Sequence, residues 1–289
     1  MQVATTDEWV KVGGLQVRFQ RAGSGPAMLL IHGLLGYSFS WRFALPLLSR
    51  DREVVALDMP GSGFSECAAG IDCRLNSAAR RLLVFMDAVG IRSADLVGSS
   101  YGGSTALMAA ALEPTRVRSL VLVSPANPWS RIGRKRLALL NSPGIRSIFP
   151  LIARPLEPFY AFFIRRMYGN PMRMTGETLR GYRTVLARPG VLEHAVKIVQ
   201  TWHADMDEWA AAVPKLRNTP VMLVWGSKDR VVDFTSAEIL GRRVQAREIA
   251  VIHGAGHLPY EEAPEEFSRM VIDFLAQYSP VEAARREVT

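Results

Sequence analysis

Ser100 is the residue in this chain best placed to become a nucleophile, at the centre of Gly98-Ser99-Ser100-Tyr101-Gly102. The apolar run Ala94 to Val97 precedes this pentapeptide and Ser104 to Leu112 follows it, which puts Ser100 at a strand-to-helix turn, the setting of a nucleophile elbow. The flanking glycines remove the Cβ atoms that would collide in so tight a turn. Ser99 lacks that spacing. A serine hydroxyl needs a base, and the base needs an orienting carboxylate. Both follow downstream. Asp229 lies in Gly226-Ser227-Lys228-Asp229-Arg230, just past the β-type run Val221 to Trp225. His257 ends Gly254-Ala255-Gly256-His257, after the alternating run Arg247 to Ile252. Asp233 and Asp205 are rival acids, but neither immediately follows a strand. His253 is a rival base that sits too close to its strand end. The expected catalytic set is therefore Ser100, His257 and Asp229.

These residues need a sheet to hold them. Strands are predicted near Glu8–Val12, Leu15–Ala22, Ala27–Ile31, Glu53–Leu57, Ala94–Val97, Val117–Val123, Val221–Trp225 and Arg247–Ile252. Helical patterns fall at Trp41–Leu48, Ser77–Val89, Ser104–Leu112, Ser236–Arg243 and Glu265–Gln277. Alternating strands and helices imply a mostly parallel sheet with both faces covered. Residues 126–214 interrupt the alternation with helical stretches and no convincing strand, which predicts an inserted helical cap on a core made of 1–125 and 215–289. The tail from Ser279 is expected to fray.

Four further segments bring out a resemblance. His32-Gly33-Leu34-Leu35-Gly36, Asp58-Met59-Pro60-Gly61-Ser62-Gly63-Phe64-Ser65, Leu122-Val123-Ser124-Pro125 and Ala255-Gly256-His257-Leu258-Pro259-Tyr260-Glu261-Glu262-Ala263-Pro264, together with the serine pentapeptide, resemble the α/β-hydrolase superfamily over nearly the whole chain. The resemblance implies an α/β-hydrolase fold with an eight-stranded, mostly parallel sheet, and an oxyanion hole made by the backbone N–H groups of Leu34 and Tyr101. His32 is expected to be a structural histidine, and the Asp58 turn a structural loop. The implied activity is cleavage of carboxylic esters through an acyl-enzyme. Lactonases, thioesterases, meta-cleavage C–C hydrolases and perhydrolases use the same triad, and a ligand-binding receptor could keep the fold. Serine at the elbow speaks against haloalkane dehalogenases and epoxide hydrolases, whose relatives carry aspartate there.

Composition adds bounds. A chain of 289 residues with 48% hydrophobic content can bury a large core. Thirteen Lys and Arg residues but three acidic ones fall between residues 126 and 200, so the net charge of +8 belongs to the cap. This basic cap is read as a solvated face: no nucleic-acid-binding fold accompanies it, and contact with a membrane surface is the less favoured reading. Interleaved aromatics, Phe149, Phe159, Phe162 and Phe163, are expected to line an apolar acyl pocket. Cys67 and Cys73 read as free thiols, and neither C-x-x-C nor H-E-x-x-H is present, so no metal or other cofactor is expected. Met1 to Val12 has no secretory hydrophobic run, which makes cytoplasmic the default location.

Overall fold

The computed structural model describes residues 5–131, 142, 144, 157–216 and 218–279. In chain order its main elements are β1 (Thr6–Val12), β2 (Leu15–Ala22), β3 (Ala27–Ile31), β4 (Glu53–Leu57), α1 (Leu75–Ala88), β5 (Ala94–Ser99), α2 (Tyr101–Leu112), β6 (Val117–Val123), α3 (Glu157–Met167), α4 (Gly176–Leu186), α5 (Val191–Ala212), β7 (Val221–Gly226), α6 (Thr235–Val244), β8 (Glu248–Ile252) and α7 (Pro264–Tyr278). One eight-stranded sheet runs in the order β1-β2-β4-β3-β5-β6-β7-β8. The β1–β2 and β2–β4 pairs are antiparallel, and every pair from β4 to β8 is parallel.

Every residue of β3, β5 and β7 is buried, as strands covered on both faces require. Alternate residues feed two cores. Leu29, Ile31, Leu96 and Leu223 join the layer under α1 and α2, whereas Met28, Leu30, Val97 and Val224 join the opposite layer with Trp41, Tyr260 and Phe274. Parallel register then decides which loops meet. Ile31 pairs with both Leu57 and Gly98, Ser99 pairs with Val123, and Gly226 pairs with Ile252. The chain therefore leaves β3, β5, β7 and β8 at one carboxyl edge, where an open α/β sheet binds its ligands.

The predicted helix Trp41–Leu48 is instead a 3₁₀ turn, Ser38–Trp41, and a separate short helix, Leu45–Leu48. Pro46 explains the split. Lacking an N–H, proline fits a first helical turn but not a helix interior. In the opposite sense, the helix predicted from Ser104 begins three residues earlier, at Tyr101. Between β6 and β7, the described residues form helices and 3₁₀ turns and no strand. None of the described helices is long and apolar enough to cross a membrane.

Candidate active site

Ser100 sits between β5 and α2 with φ 51° and ψ −117°, a left-handed conformation that costs a non-glycine residue of order 1–3 kcal/mol. The surroundings hold it there. Its N–H donates to the Val123 carbonyl at 2.9 Å, and its own carbonyl accepts from Ser104 and Ala126. A Cβ at Gly98 would stand 2.5 Å from the Gly102 carbonyl oxygen, and one at Gly102 would strike the Ile31 and His32 carbonyls. The elbow is thus packed between β3 and its own helix, and only glycine fits on either side.

The loop after β3 passes over this serine. A Cβ at Gly33 would lie 3.1 Å from that of Ser100. The Gly36 N–H closes a turn onto the Gly33 carbonyl at 3.0 Å, with Leu35 at φ 63°. Leu34 and Tyr101, the residues expected to supply the oxyanion hole, line the same cavity as Ser100. Tyr101 is the first residue of α2, where a backbone N–H has no acceptor within the helix. His32 is turned away from this chemistry: one ring nitrogen meets the Gly33 carbonyl at 2.8 Å and Nε2 accepts the Met59 N–H at 3.0 Å. Burial lowers its pKa and keeps it neutral. The Asp58 carboxylate, in turn, accepts from the Ser38 and Phe64 amides and braces the turn after β4.

His257 and Asp229 meet across the ends of β8 and β7. Nδ1 of His257 lies 2.8 Å from Oδ2 of Asp229, with both side chains buried. The other carboxylate oxygen accepts the Val231 N–H at 2.7 Å and the Val232 N–H at 3.1 Å. A carboxylate fixed in this way selects the tautomer with the proton on Nδ1, which leaves Nε2 as a free base. His257 lines the cavity of Ser100. The rivals are engaged elsewhere. Asp233 accepts from Ser130 and Thr235, Asp205 from Leu75 and Thr201, and His253 is exposed.

The cavity holds about 240 Å³ and is largely apolar, with Leu35, Ile164, Met167, Leu186 and Trp202 in its walls and the hydroxyls of Ser40, Ser99 and Tyr260 among its polar groups. Of the aromatics expected to line it, Phe163 does, whereas Phe162 does not and is 63% exposed. Helix geometry is the reason: adjacent residues point about 100° apart, so Ile164 and Met167 take the inward stripe of α3 and Phe162 is rotated out. Phe149 and the side chain of Phe159 lie outside the described residues.

Sequence reasoning missed the clamp behind the histidine. Glu261 is buried and accepts from Tyr168 at 2.5 Å and from Tyr182, while Arg42 pairs with it at 2.9 Å. Burial raises its pKa, and Arg42 and the two phenols oppose the rise. Its neighbour Glu262 accepts the Gly256 N–H at 2.6 Å and the Gly169 N–H at 3.0 Å, and the His257 N–H donates to the Met167 carbonyl at 2.6 Å. These bonds tie the end of α3 and the wall residue Tyr182 to the histidine loop. Nothing in the sequence marks Glu261 as buried, since glutamate in a helical turn is ordinarily solvated.

Comparison with known proteins agrees with this fold. The family model of the alpha/beta hydrolase fold matches residues 26–264. The chain belongs to this family. Curated relatives include 2-hydroxy-6-oxo-6-phenylhexa-2,4-dienoate hydrolase of Comamonas testosteroni, 28% identical across 90% of this chain and 91% of that protein. Monoacylglycerol lipase ABHD6 of Rattus norvegicus is 26% identical across 93% of this chain and 84% of that one. Among solved structures, one described as a membrane phospholipase A and bacterial virulence factor superposes with a TM-score of 0.76 at 26% identity, covering 95% of this chain and 87% of its own. This α/β-hydrolase is thus similar both to a monoacylglycerol lipase and to a dienoate hydrolase.

Proposed function

We propose that this α/β-hydrolase cleaves carboxylic esters with an apolar acyl group through an acyl-enzyme on Ser100. His257 Nε2 takes the Ser100 proton as Oγ attacks the ester carbonyl. The N–H groups of Leu34 and Tyr101 receive the oxyanion, and Asp229 stabilises the imidazolium. The imidazolium then returns its proton to the departing alcohol, and water activated by His257 releases the acid. The observation that carries this reading is a strained serine opening on the same cavity as a buried histidine whose Nδ1 is held by a buried carboxylate.

A second reading, carbon–carbon bond hydrolysis, is favoured by the 28% identity to the dienoate hydrolase. The cavity argues for the ester. A dienoate substrate carries a carboxylate, and the described lining of the cavity is largely apolar with no lysine or arginine among it, which suits a neutral ester better than a buried anion. The test is a p-nitrophenyl ester series from acetate to palmitate, run beside the phenylhexadienoate. Release from an ester, with a maximum at one acyl length, supports the proposal. Turnover of the dienoate alone would transfer the triad to the second reading, and tight ligand binding without turnover of either would make the protein a receptor.

A further inference from the structure

The outward face of α3 combines apolar and cationic side chains in a way the catalytic cavity does not use. Of ten large apolar side chains at least 36% exposed among the described residues, three lie between 162 and 172: Phe162 at 63%, Phe163 at 39% and Met172 at 89%. Arg165 and Arg166 follow Phe162 at the i+3 and i+4 positions, on the same stripe. Both are exposed, and no acidic side chain of the described residues pairs with either. Met172 stands on the 3₁₀ turn Pro171–Arg173 beyond the end of the same helix. Scattered exposed apolar residues are ordinary, but several on one short segment interleaved with exposed arginines point to a contact surface.

We propose that this face docks the protein on an anionic phospholipid bilayer, with Phe162 and Met172 entering the acyl boundary and Arg165 and Arg166 meeting lipid phosphates. The proposal rests on the ester-hydrolase reading, because docking would set the active-site cavity against a source of apolar esters. Two observations favour a bilayer over a second protein. Phe162 and Met172 stand out at 63% and 89% exposure, on the helix and on the 3₁₀ turn just past it, which suits shallow insertion to about 5–10 Å at an interface. The arginines are exposed and have no acidic partner among the described residues, and mobile headgroup phosphates satisfy such cations without demanding one geometry. Phe163 connects the two regions, since it lines the cavity and is also exposed.

The test uses the full chain carrying Ser100→Ala, so that bound lipid is not consumed, and co-sedimentation with vesicles of phosphatidylcholine alone or with about one-third phosphatidylglycerol. Partitioning should be at least about tenfold stronger on the anionic vesicles and should fall as salt screens the arginines. Arg165→Ser with Arg166→Ser should remove most of that preference, at about fivefold per arginine. Phe162→Ser with Met172→Ser should weaken binding to anionic vesicles while the same pair in the Ser100 background leaves turnover of soluble p-nitrophenyl butyrate unchanged. Absence of binding to anionic vesicles, or binding indifferent to both pairs, overturns the proposal. So does a dimer in gel filtration that Phe162→Ser with Met172→Ser dissolves, which would give the face to a second copy. Failure of the hydrolase reading is separate: the unmutated chain would then turn over no ester, whatever the vesicles report.

Discussion

Ser100 and Ser99 are adjacent hydroxyls in different situations, and the difference is a prediction. Ser99 is fully buried at the end of β5 and its Oγ accepts from Tyr260 at 3.2 Å. Ser100 is turned out by its left-handed backbone. Ser100→Ala should lower kcat by about 10³-fold or more, leaving only oxyanion stabilisation and binding, whereas Ser99→Ala should cost far less; ester turnover with circular dichroism as a folding control decides between them. Equal losses would remove Ser100 from its role. Asp229→Asn keeps the shape of the acid but offers an amide N–H where His257 Nδ1 needs an acceptor, so the imidazole is held in the wrong tautomer. The expected fall in kcat approaches about 10⁴-fold with little change in melting temperature. A variant with native rates would reassign the acid.

At the scale of elements, the histidine loop and the helices between β6 and β7 behave as one block because Glu261 and Glu262 bond to both. Glu261→Ala would leave Arg42 without its buried partner and strip Tyr168 and Tyr182 of their acceptor. Breaking a buried pair from one side costs roughly 3–5 kcal/mol. Urea unfolding should register a loss of that order, and KM for long acyl esters should rise because Tyr182 and Met167 form the cavity wall. Glu261→Gln, which retains an acceptor oxygen, should lose less. Unchanged stability in Glu261→Ala would mean that the cluster does not hold the wall.

For the whole molecule, the buried histidines set an acid limit on stability. His194 of α5 packs against Gly61 in the turn after β4 and lies 3.4 Å from the Cys73 thiol. Burial, with Arg81 and Lys197 nearby, lowers its pKa to about 4. Between that value and its ordinary pKa of roughly 6.5, the unfolded chain binds a proton that the folded state refuses, so stability falls as pH falls through this window. The loss should reach on the order of 3 kcal/mol by about pH 4, at 1.36 kcal/mol per unit, and His32, shifted the same way, adds to it. Urea midpoints measured from pH 7 to pH 4, at intervals of about half a unit, should show the decline, and His194→Gln should flatten it. A His194→Gln variant with the native slope would move the acid sensitivity elsewhere.

The sequence by itself determined what short-range chemistry can encode. Continuous apolar runs announced the central strands, because a strand buried on both faces has no side for polar residues. The glycines around Ser100 announced the elbow, because no other residue fits there, and the loops of Asp229 and His257 could be read from the strands before them. Helix Trp41–Leu48 failed at Pro46, a local rule that the apolar pattern concealed. What only the tertiary structure decided depends on partners distant in the chain. Burial of Glu261 is set by Arg42, Tyr168 and Tyr182, between 79 and 219 positions away. Which of Phe162 and Phe163 reaches the cavity depends on the face that α3 turns toward it, and the cavity wall from Trp202 and Tyr182 arrives from helices whose own patterns point only to a core. Local spacing specifies which groups can react, whereas the packing of remote elements specifies what they face.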